Sequence, residues 1–586
     1  MRSHSPRHSI TLLFLLGLGL AGWSSCAHPA RRYSMQAPLW NDADRNHVSV
    51  RPSLYYSGSV ADAADNMALR PLSRAFTVPL GDEAINVNSL DEVPNSAWFT
   101  NRIGLAPMTP EQVRLGPCAE GPRLDPERGP WTVVAAKPDG VNPGFFIKSP
   151  DGTKYLLKFD GHEQPQRATA AEVVGSKLYH AFGFNVPCNE VVFFRPGLLT
   201  IAPDATRKNE YGETVPITRH DIEIVMAAAV HTPDGLLRAG ASRFLPGKPL
   251  GPFRYERTRD DDPNDVVPHE RRRELRGGRL MAAWLNHYDS REQNTMDLWV
   301  EADGRRYIRH YYLDWGDSLG SLWPTDHVSR RLGHAGYFDY DQVVGDLVTL
   351  GAYPRPWKKV IPASQPQVFG YFGEDQFVGS EWRGAYPNPA FQRMSDGDAL
   401  WATRILARLS DAHVRAAVAS GRLPDDLAAP LTRMLIARRD RILREYLGRL
   451  SPLTRFELVR RGNGVVDAAG TQQSLCFEDD AVRTGLRDPA ATRYAVRFLG
   501  GEELDPTGAQ SLRPYAAQPG QSCVTLPIGE RRPSEMAGAA APDNDPRRYG
   551  VVEIASGSVG AAAGVRVHMY DLGPARGFRL VGIERR

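Results

Sequence analysis

An excess of charge of either sign is missing from this chain: 71 Lys and Arg stand against 68 Asp and Glu, a formal charge of +3. No strong field exists to recruit a polyanion, so nucleic acid is not an expected partner and charge alone names none. Cysteine is scarce, five in all, and no two are spaced as CxxC, which argues against a structural zinc site. Beyond the first residues no apolar run approaches the roughly 20 residues that a permanent membrane helix needs. Tandem repeats and long low-complexity segments are also missing. What remains, 42 % hydrophobic and 24 % charged residues over 586 positions, is an ordinary globular composition. The length is too great for one core, so two to four domains are expected.

The one apolar run is at the start. Arg2 and Arg7 precede ITLLFLLGLGLAGW (10–23), and the small residues Ser24, Ser25 and Cys26 follow. A positive start, a short apolar stretch and a small-residue exit form a secretory signal. The plain alternative is a cleaved signal peptide. Ser24-Ser25-Cys26 also resembles the exit of a bacterial lipoprotein signal, with Trp23 where that family usually has Leu. The resemblance implies lipidation of Cys26, whose thiol a diacyl anchor needs, and hence a membrane anchor in the cell envelope. Ala27, rather than Asp, would direct a Gram-negative protein to the outer membrane, facing the periplasm or the surface. In an exported chain Cys118, Cys188, Cys476 and Cys523 suit two disulfides, with three connectivities open. The favoured bridge is 476–523, both of whose cysteines fall in one β-rich segment.

Residues 27–125 are rich in Pro, Asn and Arg with weak periodicity, and read as an irregular extension wrapping the main domain. From 131 the pattern sharpens. WTVVAAK (131–137), GFFIKS (144–149) and TKYLLKFD (153–160) are β-prone runs parted by the turns PDGVNP and SPDG. In 168–183, Ala171, Val174, Leu178 and Phe182 recur at three- and four-residue steps, predicting a helix stopped by Gly183. EVVFF (190–194) returns to strand. A second helical stretch (269–287) places Leu275, Gly278, Ala282 and Leu285 on one face, and RRYIRHYYLDW (305–315) reads as a strand. Residues 317–395 are loop-heavy. Helices resume at 398–409, at 411–420 (capped by Ser410 and stopped by Gly421) and at 430–447. After Pro452, seven strand-like runs separated by Gly/Pro loops suggest a terminal β-sandwich of about 130 residues.

Just after the second helical stretch stands Asn286-His287-Tyr288-Asp289-Ser290-Arg291-Glu292-Gln293-Asn294, and further on a strand ends in Asp314-Trp315-Gly316. HYDSREQN resembles the HxDxKxxN catalytic loop of the protein-kinase superfamily, and DWG its DFG metal motif. Lys158 on the third strand is similar to the lysine that grips the nucleotide phosphates, and Glu172 in the next helix to its ion-pair partner. The turn between Gly140 and Gly144 lies where that superfamily places its phosphate-covering loop, although it is no GxGxxG match. Arg243 to Pro246 takes the place of the adenine-side hinge. The resemblance covers roughly residues 126–450 and leans towards atypical members such as the HipA toxin kinase. AEVVGSKLYHAFGFNVP, NHYDSREQNTMD and LDWGDSLGS also resemble an uncharacterised family of exported bacterial proteins with this fold.

The chemistry explains the spacing. Phosphoryl transfer needs a carboxylate to orient the acceptor hydroxyl and ligands to hold Mg²⁺ against the phosphates. The resemblance implies Asp289 as that carboxylate, Asn294 and Asp314 as metal ligands, and Arg291 as a positive charge beside the transferred group. Lys158 and Glu172, with the Gly140–Gly144 turn, would hold the nucleotide. His287 is read as a packed core histidine.

Taken singly these residues mean little: a strand Lys is usually a solvated edge charge, and Asp-x₄-Asn is common. Their order along the chain carries the reading. No APE motif follows, so ordinary protein substrates are not implied.

A rival motif overlaps. Gly316-Asp317-Ser318-Leu319-Gly320 matches the GxSxG elbow of α/β-hydrolases, with His413 as a possible base. The flanking chain lacks the alternating strands and helices of that fold, and no HGGG-type segment lies upstream. A Walker loop fails at Gly247-Lys248, where Ser242 and Pro249 replace required residues.

The expected fold is α+β. It has a signal (1–26), an N-terminal extension (27–125), a bilobal kinase-like domain (126–450) and a C-terminal β-rich domain (451–586). The expected function is an exported ATP- and Mg²⁺-dependent phosphotransferase, or a nucleotidyltransferase variant, acting on an unidentified protein, glycan or small molecule. The non-enzyme alternative is an inactive pseudokinase scaffold of the cell envelope, binding a partner or glycan through its β domain. Scarce ATP outside the bacterial cytoplasm favours the scaffold, and retention of all five catalytic residue types favours the enzyme.

Overall fold

The computed structural model describes residues 31–585, apart from most of 56–81, 138–141, 323–332, 335, 337–339, 355–359, 461–472, most of 501–507, 528–541, 557–563 and the single positions 162, 210, 519 and 574. Cys26 and Gly140 therefore lie outside the described residues.

The chain is mixed α+β with four sheets. The first strands are β1 (Trp131–Ala136), β2 (Gly144–Lys148), β3 (Lys154–Lys158), β4 (Asn189–Phe194), β5 (Leu199–Lys208), β6 (Thr214–Pro216) and β7 (Leu237–Arg243). They form one sheet in the order β4-β7-β3-β2-β1-β5-β6, antiparallel except for the β1–β5 pair. The period-two pattern of the runs explains the pairing: Trp131, Val133, Phe145, Ile147, Tyr155 and Leu157 all fall on one face and share a core. These six side chains are sealed from water, so the sheet forms a firm platform for whatever stands at its strand ends.

A short helix, α1 (Pro110–Leu115), is boxed by Thr109 and Gln112. Helix α2 (Arg167–Phe182) crosses behind the sheet and is buried along almost all its length, His180 excepted. Such enclosure is why its apolar residues are not confined to one stripe. After α3 (Arg219–Ala227), a three-stranded sheet forms from β8 (Lys248–Gly251), β9 (Thr295–Ala302) and β10 (Arg305–Tyr312), with β9 in the middle. Between β8 and β9 lies α4 (Arg273–Leu285). The largest core joins α2 and α4 to α5 (Asp396–Arg408), α6 (Asp411–Ser420) and α7 (Asp425–Tyr446). Ser410 caps α6 through a capping box with His413. Helix α7 begins five residues before Pro430, which lies inside the helix in its second turn; the Asp426 carbonyl that it cannot serve accepts from the Gln365 side chain at 3.5 Å. No described helix is long and apolar enough to cross a membrane.

The inner C-terminal strands are β12 (Gln473–Asp479), β13 (Tyr494–Gly500), β16 (Gln521–Thr525), β17 (Tyr549–Ser556) and β18 (Gly564–Asp571), and the segment forms a four-stranded sheet, β11-β12-β16-β15, and a five-stranded sheet, β14-β13-β17-β18-β19. Their edges are β11 (Leu453–Arg460), β15 (Pro514–Gln518), β14 (Gln510–Leu512) and β19 (Phe578–Arg585). The two sheets share one core: Leu475, Phe477 and Val524 come from the first, Val552, Val567 and Met569 from the second. Cys476 and Cys523 are cross-strand partners and form a disulfide, and Cys118 pairs with Cys188.

The segment before β1 does not hang free. Trp98, Phe99 and Ile103 enter the main helical core. Asp91 meets Arg273 of α4, Arg404 of α5 at 3.4 Å and Arg585 of β19 at 2.6 Å. Burial opposes the Asp91 charge, but the three guanidinium groups hold its carboxyl well below the ordinary range. One carboxylate thus ties the extension to the helices and to the last strand.

Candidate functional site

Lys158 closes β3, and its Nζ stands 3.3 Å from Oε2 of Glu172 on α2 and 3.1 Å from Oδ1 of Asp314. Glu172 is held at both oxygens: Oε1 accepts from the Asn189 side chain at 3.1 Å and Oε2 from the Trp315 backbone N–H at 3.1 Å. The strand thus delivers the lysine, and the helix delivers a carboxylate already fixed by two other segments. Gly144 opens β2 directly opposite Lys158. A Cβ there would lie 2.2 Å from the Leu157 carbonyl oxygen, so this position must be glycine.

The other side of the site is the loop after α4. The helix ends on Asn286 in the left-handed region (φ 50°), a conformation asparagine tolerates, and the chain turns sharply. Asp289 follows. Asn294 donates from Nδ2 to the Asp289 carbonyl at 2.7 Å and to its Oδ2 at 3.0 Å, folding the loop back on itself. Arg291 reaches Asp289 Oδ1 at 3.2 Å, donates to the Tyr386 hydroxyl at 3.0 Å and stacks over that ring. The loop is joined to the DWG segment because Leu313 donates to the Asn294 carbonyl at 2.9 Å. Glu292, buried beneath it, accepts from Arg70 of the N-terminal extension at 2.9 Å and from the Tyr255 N–H at 3.2 Å.

Trp315 seats the DWG turn against α2. Gly175 makes this possible: a Cβ on it would meet the Trp315 ring at 2.4 Å. Asp314 itself has φ 55°, in the left-handed region that a non-glycine residue seldom adopts, and is held there by a hydrogen bond from His287 Nε2 to its carbonyl at 3.0 Å. Since a carbonyl only accepts, His287 carries its proton on Nε2, and Nδ1 accepts from the Tyr179 hydroxyl at 3.3 Å. Burial pushes the His287 imidazole down to about 4, so it stays neutral.

The charges do not cancel neatly. Burial opposes the Lys158 ammonium, but Asp314 and Glu172 outweigh it and raise its affinity for the proton. Asp314 is held well below the ordinary carboxylate range: enclosure opposes its charge, and Lys158 and Lys137 prevail. Glu172 moves the other way, because burial outweighs Lys158. Burial also pushes Asp289 up to about 7, with Arg291 and Asn294 opposing and Asp317 and Asp314 adding to the rise. Two carboxylates and an amide carbonyl are hard oxygen donors, a set that fits Mg²⁺ and not a soft metal. The Asp314 side chain keeps 43 % of its surface accessible, and its Lys158 and Gly316 contacts both fall on Oδ1.

Lys158, Glu172, Asp289, Arg291, Asn294, Asp314 and Gly144 are thus brought together. Ser318 is not presented as a nucleophile. It is fully buried, and both ring nitrogens of His413 are engaged, by Ser410 at 2.9 Å and by the Met108 carbonyl at 2.8 Å. That burial agrees with the flanking sequence in disfavouring the rival hydrolase reading. Two further residues in the field of the site went unmarked in the sequence: Lys137, after β1, and Asp317, after the DWG. The second was readable, since an acidic residue adjoins the motif. The first had no signal apart from ending a strand beside a turn.

No family model matches this sequence, and no curated protein does. Two solved structures of the Golgi casein kinase align with it at 12 % and 10 % identity. They span 55 % and 54 % of this chain and 74 % and 73 % of their own, with TM-scores of 0.24 and 0.26. The second of these was solved with Mn and ADP bound.

Proposed function

We propose that this chain is an ATP- and Mg²⁺-dependent phosphotransferase built on a protein-kinase-like fold. The observation that carries the reading is the convergence of Lys158, Glu172 and Asp314 within 3.3 Å of one ammonium group, beside the Asp289–Asn294 pair. A lysine fixed between two carboxylates that arrive from a helix and from a distant turn is not needed to hold the sheet together. It is what a phosphate chain and its cation require.

In this reading Lys158 binds the nucleotide phosphates and Glu172 keeps it aimed. Asn294 and Asp314 would hold Mg²⁺, which when bound neutralises charge on the phosphate oxygens. Asp289 orients the acceptor hydroxyl. The acceptor oxygen forms a bond to the γ-phosphorus as the bond from that phosphorus to the β–γ bridging oxygen breaks. The acceptor proton passes to an Asp289 oxygen and ADP leaves. Burial and neighbouring carboxylates support a proton on Asp289 near neutrality. Arg291 lies beside that oxygen, as a positive charge near the transferred group would.

The acceptor is a hydroxyl-bearing protein, glycan or small molecule, and the two C-terminal sheets, read as a sandwich, supply a surface for it. The site of action is the cell envelope, with Cys26 as the lipid anchor. Incubation of purified protein with γ-labelled ATP and Mg²⁺, against cell-envelope fractions, tests the activity through the appearance of label on an acceptor. Loss of the protein from the membrane fraction on Cys26→Ser tests the anchor, and unchanged fractionation overturns it.

A further inference from the structure

The first three strands carry a feature that the phosphotransferase reading does not use. Lys137 leaves β1 and donates its backbone N–H to the Gly144 carbonyl at 2.9 Å, while Gly144 stands opposite Lys158 across the β2–β3 pair. Residues directly opposite in antiparallel strands project to the same face. Lys137, Gly144 and Lys158 therefore form one row across three strands, two lysines flanking a residue with no side chain. Gly144 puts no side chain into that row, and none is tolerated there, because a Cβ on it would lie 2.2 Å from the Leu157 carbonyl oxygen.

The Lys137 tip is also aimed. Its Nζ donates to the Asn142 carbonyl at 3.2 Å, and the Asn142 side-chain nitrogen lies 3.5 Å from where a Cβ on Gly316 would stand. The foot of the β1–β2 turn thus hangs over the DWG turn. Lys137 is half-buried, and both burial and Lys158 press its ammonium below the ordinary lysine range, while Asp314, Glu172 and Asp317 pull the other way.

We infer that Lys137 is a second ligand for the phosphate chain of a nucleoside polyphosphate, forming with Lys158 a two-lysine cradle across the bare Gly144. The inference rests on the nucleotide reading above and deepens it. The turn between β1 and β2 lacks the glycine pattern that lets backbone N–H groups wrap phosphates, and side-chain charge does that work here. A cradle of two point charges selects for phosphate-chain length and is indifferent to the base.

Titration calorimetry of the full chain with ATP, ADP and AMP, with and without Mg²⁺, tests it. Lys137→Ala is expected to weaken Mg·ATP about tenfold, equal to about 1.4 kcal/mol, to weaken ADP less and to leave AMP unchanged. Lys137→Arg is expected to restore most of the loss, and inorganic tripolyphosphate should compete with ATP less well on Lys137→Ala than on wild type. Equal losses for ATP and AMP, or none, overturn the role of Lys137 while the nucleotide reading stands. A wild-type chain that binds no nucleotide overturns both. An unchanged melting temperature for Lys137→Ala separates lost binding from lost fold.

Discussion

His287 donates from Nε2 to the backbone carbonyl of Asp314 at 3.0 Å, and this bond, with that from Leu313 to Asn294, ties the loop of Asp289 to the turn of Asp314. The two carboxylates reach the site on separate strands of chain, and neither loop is held by a regular ladder at that point. The histidine is therefore a positioning residue: it touches no reacting atom and fixes the left-handed backbone of Asp314 from behind.

Removing it has two readable consequences. His287→Ala is expected to lower stability by about 2–4 kcal/mol, from the buried ring and the two orphaned partners. Transfer is expected to fall further than nucleotide binding, because Asp314 loses its fixed backbone. His287→Gln, which can keep one donor near the carbonyl, should recover part of the activity. Chemical denaturation and single-turnover rates check both.

Gly175→Ala probes the packing of the DWG turn. One methyl would meet the Trp315 ring at 2.4 Å, so the ring or the helix must shift. Overpacking of this kind costs about 1–3 kcal/mol. The expected result is a lower melting temperature together with a weaker response to Mg·ATP, since Trp315 N–H also holds Glu172. Gly197→Ala, where a Cβ meets nothing within 4 Å and the backbone is not left-handed, controls for the loss of a glycine alone.

The pH dependence of stability has a definite sign. Asp289 binds its proton near pH 7 in the folded chain and at the ordinary 3.8 when unfolded. Between those values the folded state carries more protons, so stability contributed at this site falls as pH rises from about 4 to about 7 and is level above. The full difference is at most about 4 kcal/mol. Comparison of wild type with Asp289→Asn by urea denaturation in chelator, at pH 5 and pH 8, isolates it: the wild type should lose more than the variant. Added Mg²⁺ should shrink the gap, because a cation beside the carboxylate stabilises its charged form.

Much of this was legible in the chain, for physical reasons. The runs around Trp131, Phe145 and Tyr155 alternate with period two because one face of their sheet is sealed, and seven C-terminal runs were readable on the same grounds. Helix α2 was marked by Ala171, Val174, Leu178 and Phe182, and α6 by its Ser410 cap. The site motifs were legible as an ordered set, because Asp289, Asn294 and Asp314 lie within one short stretch.

What was not legible depended on partners distant in sequence. Strands β5, β7 and β9 have no clean alternation: Leu237, Ala239 and Ala241 of β7 are covered by one core, but Arg238 and Gly240 between them are buried as well, against α2 and the turn after α6. Helix α7 was begun at Pro430 because a proline reads as a first-turn residue, whereas two acidic residues start it earlier. Arg70 under Glu292 and Lys137 in the field of Lys158 lie outside the patterned runs of the sequence, and nothing local distinguishes them from solvated charges.

The most direct test is a comparison of Asp289→Asn with Asp314→Ala in one experiment, nucleotide binding by thermal shift and phosphoryl transfer from labelled ATP. Mg·ATP at a hundred times its dissociation constant should stabilise wild type by about 2.7 kcal/mol. Asp289→Asn is expected to keep that shift and lose transfer, since the lost contact is to the acceptor and not to the nucleotide. Asp314→Ala is expected to lose both. A wild type with the shift and no transfer to any acceptor would identify a nucleotide-binding scaffold, and a wild type with neither shift nor transfer would contradict the phosphotransferase assignment outright.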